Sequence, residues 1–438
     1  MTNTINSVEI EHQTNLKGYI IFLIGQWISI LGSNIVQFGI IWFLTIETGS
    51  PFVLALGQFL GFAPFILVTP VAGVFIDRWS RKKVIMFVDF VQAFLGLVLI
   101  LIFASGLFSA LEMVVVILVI TFFRGIFGAF HTAGVDTLLP LLVPKKHLSR
   151  INGINYLANG AILIVGPIIG AIALEFFHLK DLLWLDVVTF LIAIIPTAII
   201  FIPKITRVIQ EDRVKPSFRA EFTEGLTFIR ENSALLALLV VFTSANFFIS
   251  PLFTQLPIVI TSIHFGETEH LALLFALQQA GLIIGSTIMS TWKGFSNHAR
   301  GVFIGIFIMY LGIGIFALAP PGAYLVLAIG ILFTGFALPL ANVSSETIWA
   351  KTVPKELLGR VYAVRRTVAQ ISGPVSILLS GFLAEFIGVI PILLMCSVLG
   401  IFILGYSWFF TAFPSVELRL QEKADEVSAS TPVTGDGN

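Results

Sequence analysis

Long apolar runs, separated by short polar or charged clusters, occupy most of this chain. Twelve of them reach the roughly 20 residues a helix needs to cross a bilayer core. They lie at approximately 17–46, 51–76, 84–105, 111–135, 150–176, 181–202, 234–262, 270–292, 300–319, 322–346, 358–386 and 389–412. The breaks between them hold Gly, Pro or charge, as in Thr48-Gly49-Ser50-Pro51, Asp77–Lys83 and Ala319-Pro320-Pro321-Gly322. Apolar character is continuous within each run. The strands of a membrane barrel would instead alternate over about ten residues. The pattern therefore predicts an all-α integral membrane protein with twelve transmembrane helices.

Composition agrees and narrows the class. Hydrophobic residues make up 57% of the chain and charged residues 11%. A soluble domain carries about 25% charged residues, so there is too little polar surface to cover a water-facing sphere. The 42 Phe residues suit lipid contact or an aromatic-lined cavity. Net charge is zero, which gives no reason to expect a nucleic acid partner. Cys396 is the single cysteine, so no internal disulfide and no metal-ligand set is expected, and no cofactor. The first residues are polar and include Glu9 and Glu11; they lack the basic start of a secretory signal.

Basic residues set the expected orientation. With the N-terminus inside, all but two of the 25 Lys and Arg fall on inward segments; the exceptions are Arg124, within a span, and Lys180. Both termini are thus expected in the cytoplasm and the protein in the cell membrane as a multi-pass monomer. Residues 136–177 also resemble 346–387 at an offset of 210: Asp136-Thr137 matches Glu346-Thr347, Val143-Pro144-Lys145 matches Val353-Pro354-Lys355, and Glu175-Phe176 matches Glu385-Phe386. Gly166-Pro167 has a counterpart in Gly373-Pro374 after a local shift. The expected organisation is two pseudo-symmetric, parallel six-helix bundles at 1–202 and 234–412, a cytoplasmic linker at 203–233, and a polar disordered tail at 413–438. Parallel halves with a binding site between them are a transporter plan.

The most specific motif is Gly73-Val-Phe-Ile-Asp77-Arg78-Trp-Ser-Arg81-Lys82-Lys83, between spans two and three. Gly73 permits close helix approach, Asp77 can accept from a helix N-terminus, and Arg78 and Arg81 can pair with carboxylates. Such a cluster either latches the cytoplasmic side in one conformation or is ordinary basic anchoring. The pattern resembles the signature loop of the major facilitator superfamily, departing at Ser80, where Gly is usual. Arg124-Gly125 with Gly128 resembles that family's buried-arginine motif. Gly160 with Gly166-Pro167 and Gly170 resembles the motif of its antiporters. The run from Arg124 through Phe130, His131 and Thr132 to Pro140 and Pro144, with Gly61-Phe-Ala-Pro64, resembles the macrolide-efflux branch.

Arg124 stands alone in an apolar helix, where a charge costs about 2.5–3.5 kcal/mol on insertion scales. It therefore needs a partner facing the interior. It is either a plain interhelical pair or, as the resemblance implies, part of a proton-coupling device that tunes a carboxylate. Asp89 in span three is the expected proton carrier; Asp186 is placed near the outer end of span six. The resemblance implies that Asp136 closes the latch with the loop arginines. Gly166, Pro167 and Gly170 offer either a packing kink or a seal against span eight, where Gly281 and Gly285 have suitable spacing. Candidate cavity residues are Gln37, Phe38, Phe130, His131, Asn159, Asn246, Gln255, Gln278 and Gln279, polar and aromatic groups for an apolar pocket.

No His-Glu-x-x-His, Gly-x-Ser-x-Gly or phosphate-loop motif is present, so an enzyme is not expected. The expectation is a secondary transporter that exports bulky hydrophobic or amphipathic, macrolide-like compounds in exchange for protons by alternating access. The competing reading is an exporter of the same fold carrying a siderophore, lipid or metabolite.

Overall fold

The computed structural model describes residues 16–200 and 218–416, apart from the side chains of Asp77, Phe218 and Arg219. The acidic N-terminal residues, the first half of the expected linker (203–217) and most of the expected tail lie outside the described residues. Twelve described helices are long and apolar enough to span a membrane: Leu16–Thr48, Pro51–Ile76, Arg81–Ser105, Ala110–Leu142, Lys145–Phe176, Leu179–Ile199, Ser233–Ile263, Thr268–Thr291, His298–Ala317, Tyr324–Thr352, Leu358–Ile387 and Val389–Phe410. They are called spans one to twelve. The chain is all-α among these residues, and a short amphipathic helix, Phe218–Glu231, precedes span seven.

Local chemistry explains several boundaries. Span four starts on a capping box: Ser109 Oγ accepts from the Glu112 N–H, and the Glu112 carboxylate accepts from the Ser109 N–H. Asn232 and Asn297 cap spans seven and nine through their side-chain oxygens. Span three stops at Gly106, whose φ of 62° suits a residue without Cβ. Span seven carries Pro251 and Pro257 and closes on a π turn, Val259–Ile263.

Two compact units result. One holds spans three to six with span one up to Ile40 and span two from Leu60; the other holds spans seven to twelve, the connecting helix and Ile41–Phe59. The sequence boundary between spans six and seven therefore omits one exchange. The turn between spans one and two is fixed to span eleven: the Glu385 carboxylate accepts from the Ser50 hydroxyl (2.9 Å) and the Phe52 N–H (3.2 Å). A carboxylate at an exposed helix N-terminus is favoured by the helix dipole. Gln255 Nε2 donates to the Pro51 carbonyl (3.2 Å), and a Cβ on Gly381 would lie 2.1 Å from that of Ala55.

Within the first unit, span three packs along spans four and six. In the second, span ten packs on spans eight and nine, and the connecting helix lies on span eleven. The second unit relies on backbone-to-backbone approach. A Cβ on Gly335 would meet the Gln278 carbonyl at 2.0 Å, and one on Gly281 the Leu332 carbonyl at 2.4 Å. Such contacts replace the hydrophobic effect as the packing force between helices in lipid.

Candidate functional site: buried charge in the first six spans

Arg124 lies in the middle of span four. Its Nη2 is 2.6 Å from Asp186 Oδ2 in span six, and its guanidinium sits 5.7 Å from the centre of the Phe190 ring. Asp186 is 1% exposed, and its Oδ1 accepts from the Ser33 hydroxyl of span one (2.8 Å). Gln92 in span three donates to the Arg124 carbonyl (3.4 Å). One buried pair thus engages spans one, three, four and six.

This partner corrects the expectation that Arg124 tunes Asp89. Depth explains it. Arg124 stands twelve residues from the end of its helix at Asp136, and Asp186 thirteen from the end of its own at Ile199. At 1.5 Å per residue these are level. Asp89 stands only eight residues into span three, nearer the basic loop. Counting depth along spans four and six, which run in the same direction, could have found this pair from sequence.

Asp89 pairs instead with His131: Nε2 to Oδ1 is 3.1 Å. Asp89 is fully buried. Val88 and Phe130, each one residue earlier, line an aromatic cleft of about 560 Å³ with Trp79, Phe87 and Phe127. Lys83 lies at the same cleft. That volume falls within the usual ligand-pocket range of roughly 300–1,000 Å³.

The packing motif is only partly used as expected. A Cβ on Gly166 would meet the Asn34 Cβ at 2.8 Å, and one on Gly170 would meet Phe38 at 2.9 Å, so span five closes on span one. Pro167 lies inside that helix. Gly160 has nothing within 4 Å of an added Cβ. Gly281 and Gly285 are occupied by span ten. Each of these two glycine surfaces thus meets a helix of its own unit. Gly73, expected to allow close approach in the latch, is likewise open. Arg78 is exposed, Asp136 sits at an exposed helix end, and Asp77's side chain lies outside the described residues. Asp136's repeat counterpart, Glu346, pairs with Arg365 at 2.7 Å, and that guanidinium also stacks near Trp349 and Tyr362.

The candidate cavity residues separate. Phe130 lines the cleft, and His131 joins Asp89. Asn159 donates to the Asn155 carbonyl (2.8 Å), and Asn155 Oδ1 accepts from Trp27 Nε1 (2.9 Å), so this group ties span five to span one. Phe38 and Gln255 are buried in packing, whereas Gln37 is exposed. Asn246, Gln278 and Gln279 are half-buried on spans seven and eight. Sequence reasoning missed Ser33, Trp27, Asn155 and the capping role of Glu385.

The sequence profile described as Major Facilitator Superfamily matches residues 22–376. Macrolide efflux protein A of Streptococcus pyogenes is 29% identical over 374 residues, covering 85% of this chain and 91% of that protein. The protein of the same name from Enterococcus faecalis is 26% identical over 329 residues, covering 75% of this chain and all of that one. Among solved structures, a bacterial homologue of the iron transporter ferroportin in an inward-facing state superposes with a TM-score of 0.68 at 15% identity, covering 90% of this chain and 99% of that chain. Its likeness concerns the fold alone. With twelve apolar helices and a family profile matched over most of its length, this chain belongs to the Major Facilitator Superfamily of membrane transporters.

Proposed function

We propose that this protein exports bulky amphipathic molecules of macrolide type across the cell membrane, in exchange for protons, by alternating access of its two halves. The observation that carries the reading is the match to macrolide efflux proteins across most of both chains. The orientation has both termini in the cytoplasm, supported by the basic residues on alternate loops. The loop with Gly73, Asp77, Arg78 and Arg81, together with Asp136, acts as the cytoplasmic latch. The Arg124–Asp186 pair supports the exchange mechanism as a fixed, neutralised charge pair among moving helices. The protein works as a monomer, without a cofactor or chemical catalysis.

The test is transport in proteoliposomes with an imposed pH gradient, comparing a macrolide, a cationic dye and a siderophore. Accumulation of the macrolide that stops when the gradient is collapsed is the expected result. Accumulation of the siderophore alone overturns the substrate class. Macrolide transport indifferent to the gradient overturns proton exchange.

A further inference from the structure

Two aspartates are buried in the first six spans, and their surroundings differ. Asp186 has a guanidinium 2.6 Å away and a hydroxyl donating to its other oxygen. An arginine does not release its proton, so Asp186 faces a permanent cation. Asp89 has an imidazole instead, with Nε2 3.1 Å from Oδ1. Among the described residues, neither Asp89 oxygen accepts a well-aligned hydrogen bond, and His131 Nε2 makes none. Of the other charged groups on the packed helices, Arg124 of span four and Asp186 of span six face each other, while Arg78 of span two, Arg81 and Lys82 of span three, and Glu112 and Asp136 of span four stand at or near helix ends. Span two contributes the apolar Ile76 here, and Lys83 lies further toward the start of span three.

With His131 neutral and Asp89 ionised, this dyad holds an uncompensated negative charge in an apolar interior, which is strongly disfavoured. One added proton removes the net charge, either as imidazolium beside carboxylate or as imidazole beside carboxylic acid. We propose that Asp89 and His131 together form the proton-binding site of the exchange cycle, with His131 as the relay and not a contact for the transported molecule; this rests on the proton-exchange reading above.

The geometry gives the relay a direction. The His131 side chain is 21% exposed while its Nε2 is buried against Asp89. A proton taken up at Nδ1 makes the imidazolium. The Nε2 proton then passes to Asp89 Oδ1, leaving a neutral imidazole in its other tautomer and a protonated carboxyl. Release reverses both transfers, so one proton enters and one leaves per cycle. The cleft beside the dyad is lined by Val88 and Phe130, so a guest there bears on the same two helices that hold the proton.

Proteoliposomes holding wild type, Asp89→Asn or His131→Gln test this in two modes with a radiolabelled macrolide: uphill accumulation driven by a pH gradient, and exchange without a gradient. Asn holds the site permanently uncharged, so in Asp89→Asn the ratio of uphill accumulation to exchange falls by at least about tenfold. An unchanged ratio overturns the dyad while leaving proton exchange intact. A wild type that ignores the gradient overturns proton exchange itself. A second measurement needs no substrate and no Asp89 variant: infrared titration of purified wild type and His131→Gln. Wild type shows the carbonyl band of a buried carboxylic acid that grows on acidification, and the band titrates at a different pH in His131→Gln. No such band, or identical titration in both proteins, overturns the proposal.

Discussion

The two halves of this transporter carry the same number of spans but hold their interiors together differently. The first six spans hold two acid–base pairs within the helices, Arg124–Asp186 and Asp89–His131, each built on a buried aspartate. Among the described residues, ion pairs of the other half lie at helix ends: Arg365–Glu346 closes spans ten and eleven, and Arg360–Glu224 (2.6 Å) holds the connecting helix on span eleven. Its interior is neutral and close, with Gly281, Gly285, Gly312, Gly330 and Gly335 each within 2.7 Å of a neighbouring backbone or closer if given a Cβ. Arg124's repeat counterpart is Thr334, whose hydroxyl donates back to Ile331. The two halves thus share their helices while the mid-span arginine belongs to one of them. The lesson is that pseudo-symmetry predicts topology well and chemistry poorly.

The largest expected effect breaks the charged half. Arg124→Ala leaves Asp186 buried without its cation, a loss of about 3–5 kcal/mol by analogy with other broken buried pairs. Thermal unfolding in detergent should show a marked drop in Tm, and transport should be lost. The double variant Arg124→Leu with Asp186→Leu should regain most of the Tm but not transport. Recovery of both would reduce the pair to packing.

A smaller effect separates packed from open glycines. Gly335→Ala forces apart spans eight and ten, since its Cβ would lie 2.0 Å from the Gln278 carbonyl; overpacking of this kind costs about 1–3 kcal/mol. Gly160→Ala meets nothing within 4 Å and should be neutral or slightly stabilising, since Ala is the better helix former by about 1 kcal/mol. Equal Tm values for the two variants would refute the contrast.

The smallest effect concerns a histidine just past span seven. His264 is buried, its Nδ1 accepts from the Gly322 N–H (3.2 Å), and the Tyr324 hydroxyl donates to its carbonyl (2.7 Å). Burial pushes its imidazole below the ordinary value of 6.5. The native state therefore binds fewer protons than the unfolded chain between that lowered value and the ordinary one. Stability is complete above the ordinary value and declines as pH falls through that window. Tm measured against pH should show this decline, and His264→Gln should flatten it. An unaltered profile would remove His264 from the account.

Much of this was legible in the chain. Apolar run length gave all twelve spans, because lipid demands it of every crossing segment. The isolated Arg124 announced a buried pair, because an unpartnered guanidinium would not persist there. Its partner was not legible from proximity in sequence; Asp186 is sixty-two positions away, and only equal depth in the membrane unites them. The cavity set was least readable. Asn159 and Gln255 are polar groups within spans, yet Asn159 bonds to Asn155 of its own helix and Gln255 to the Pro51 carbonyl of span two. Pocket lining and interhelical bonding draw on the same residue types, so composition does not distinguish them. Glu385 was visible only as a repeat match to Glu175, since its acceptor role depends on a turn far away in the chain.

That turn has a consequence for how the gene could be divided. A cut between the sixth and seventh crossings looks like a clean separation of two modules. Yet Ile41–Phe59 belongs to the compact body formed by the later crossings. An N-terminal fragment would carry away a segment whose Pro51 carbonyl and Ser50 hydroxyl have their partners on the other fragment, and a C-terminal fragment would keep Gly381 and Glu385 facing an empty groove. A division that respects the second body would have to leave Ile41–Phe59 with it.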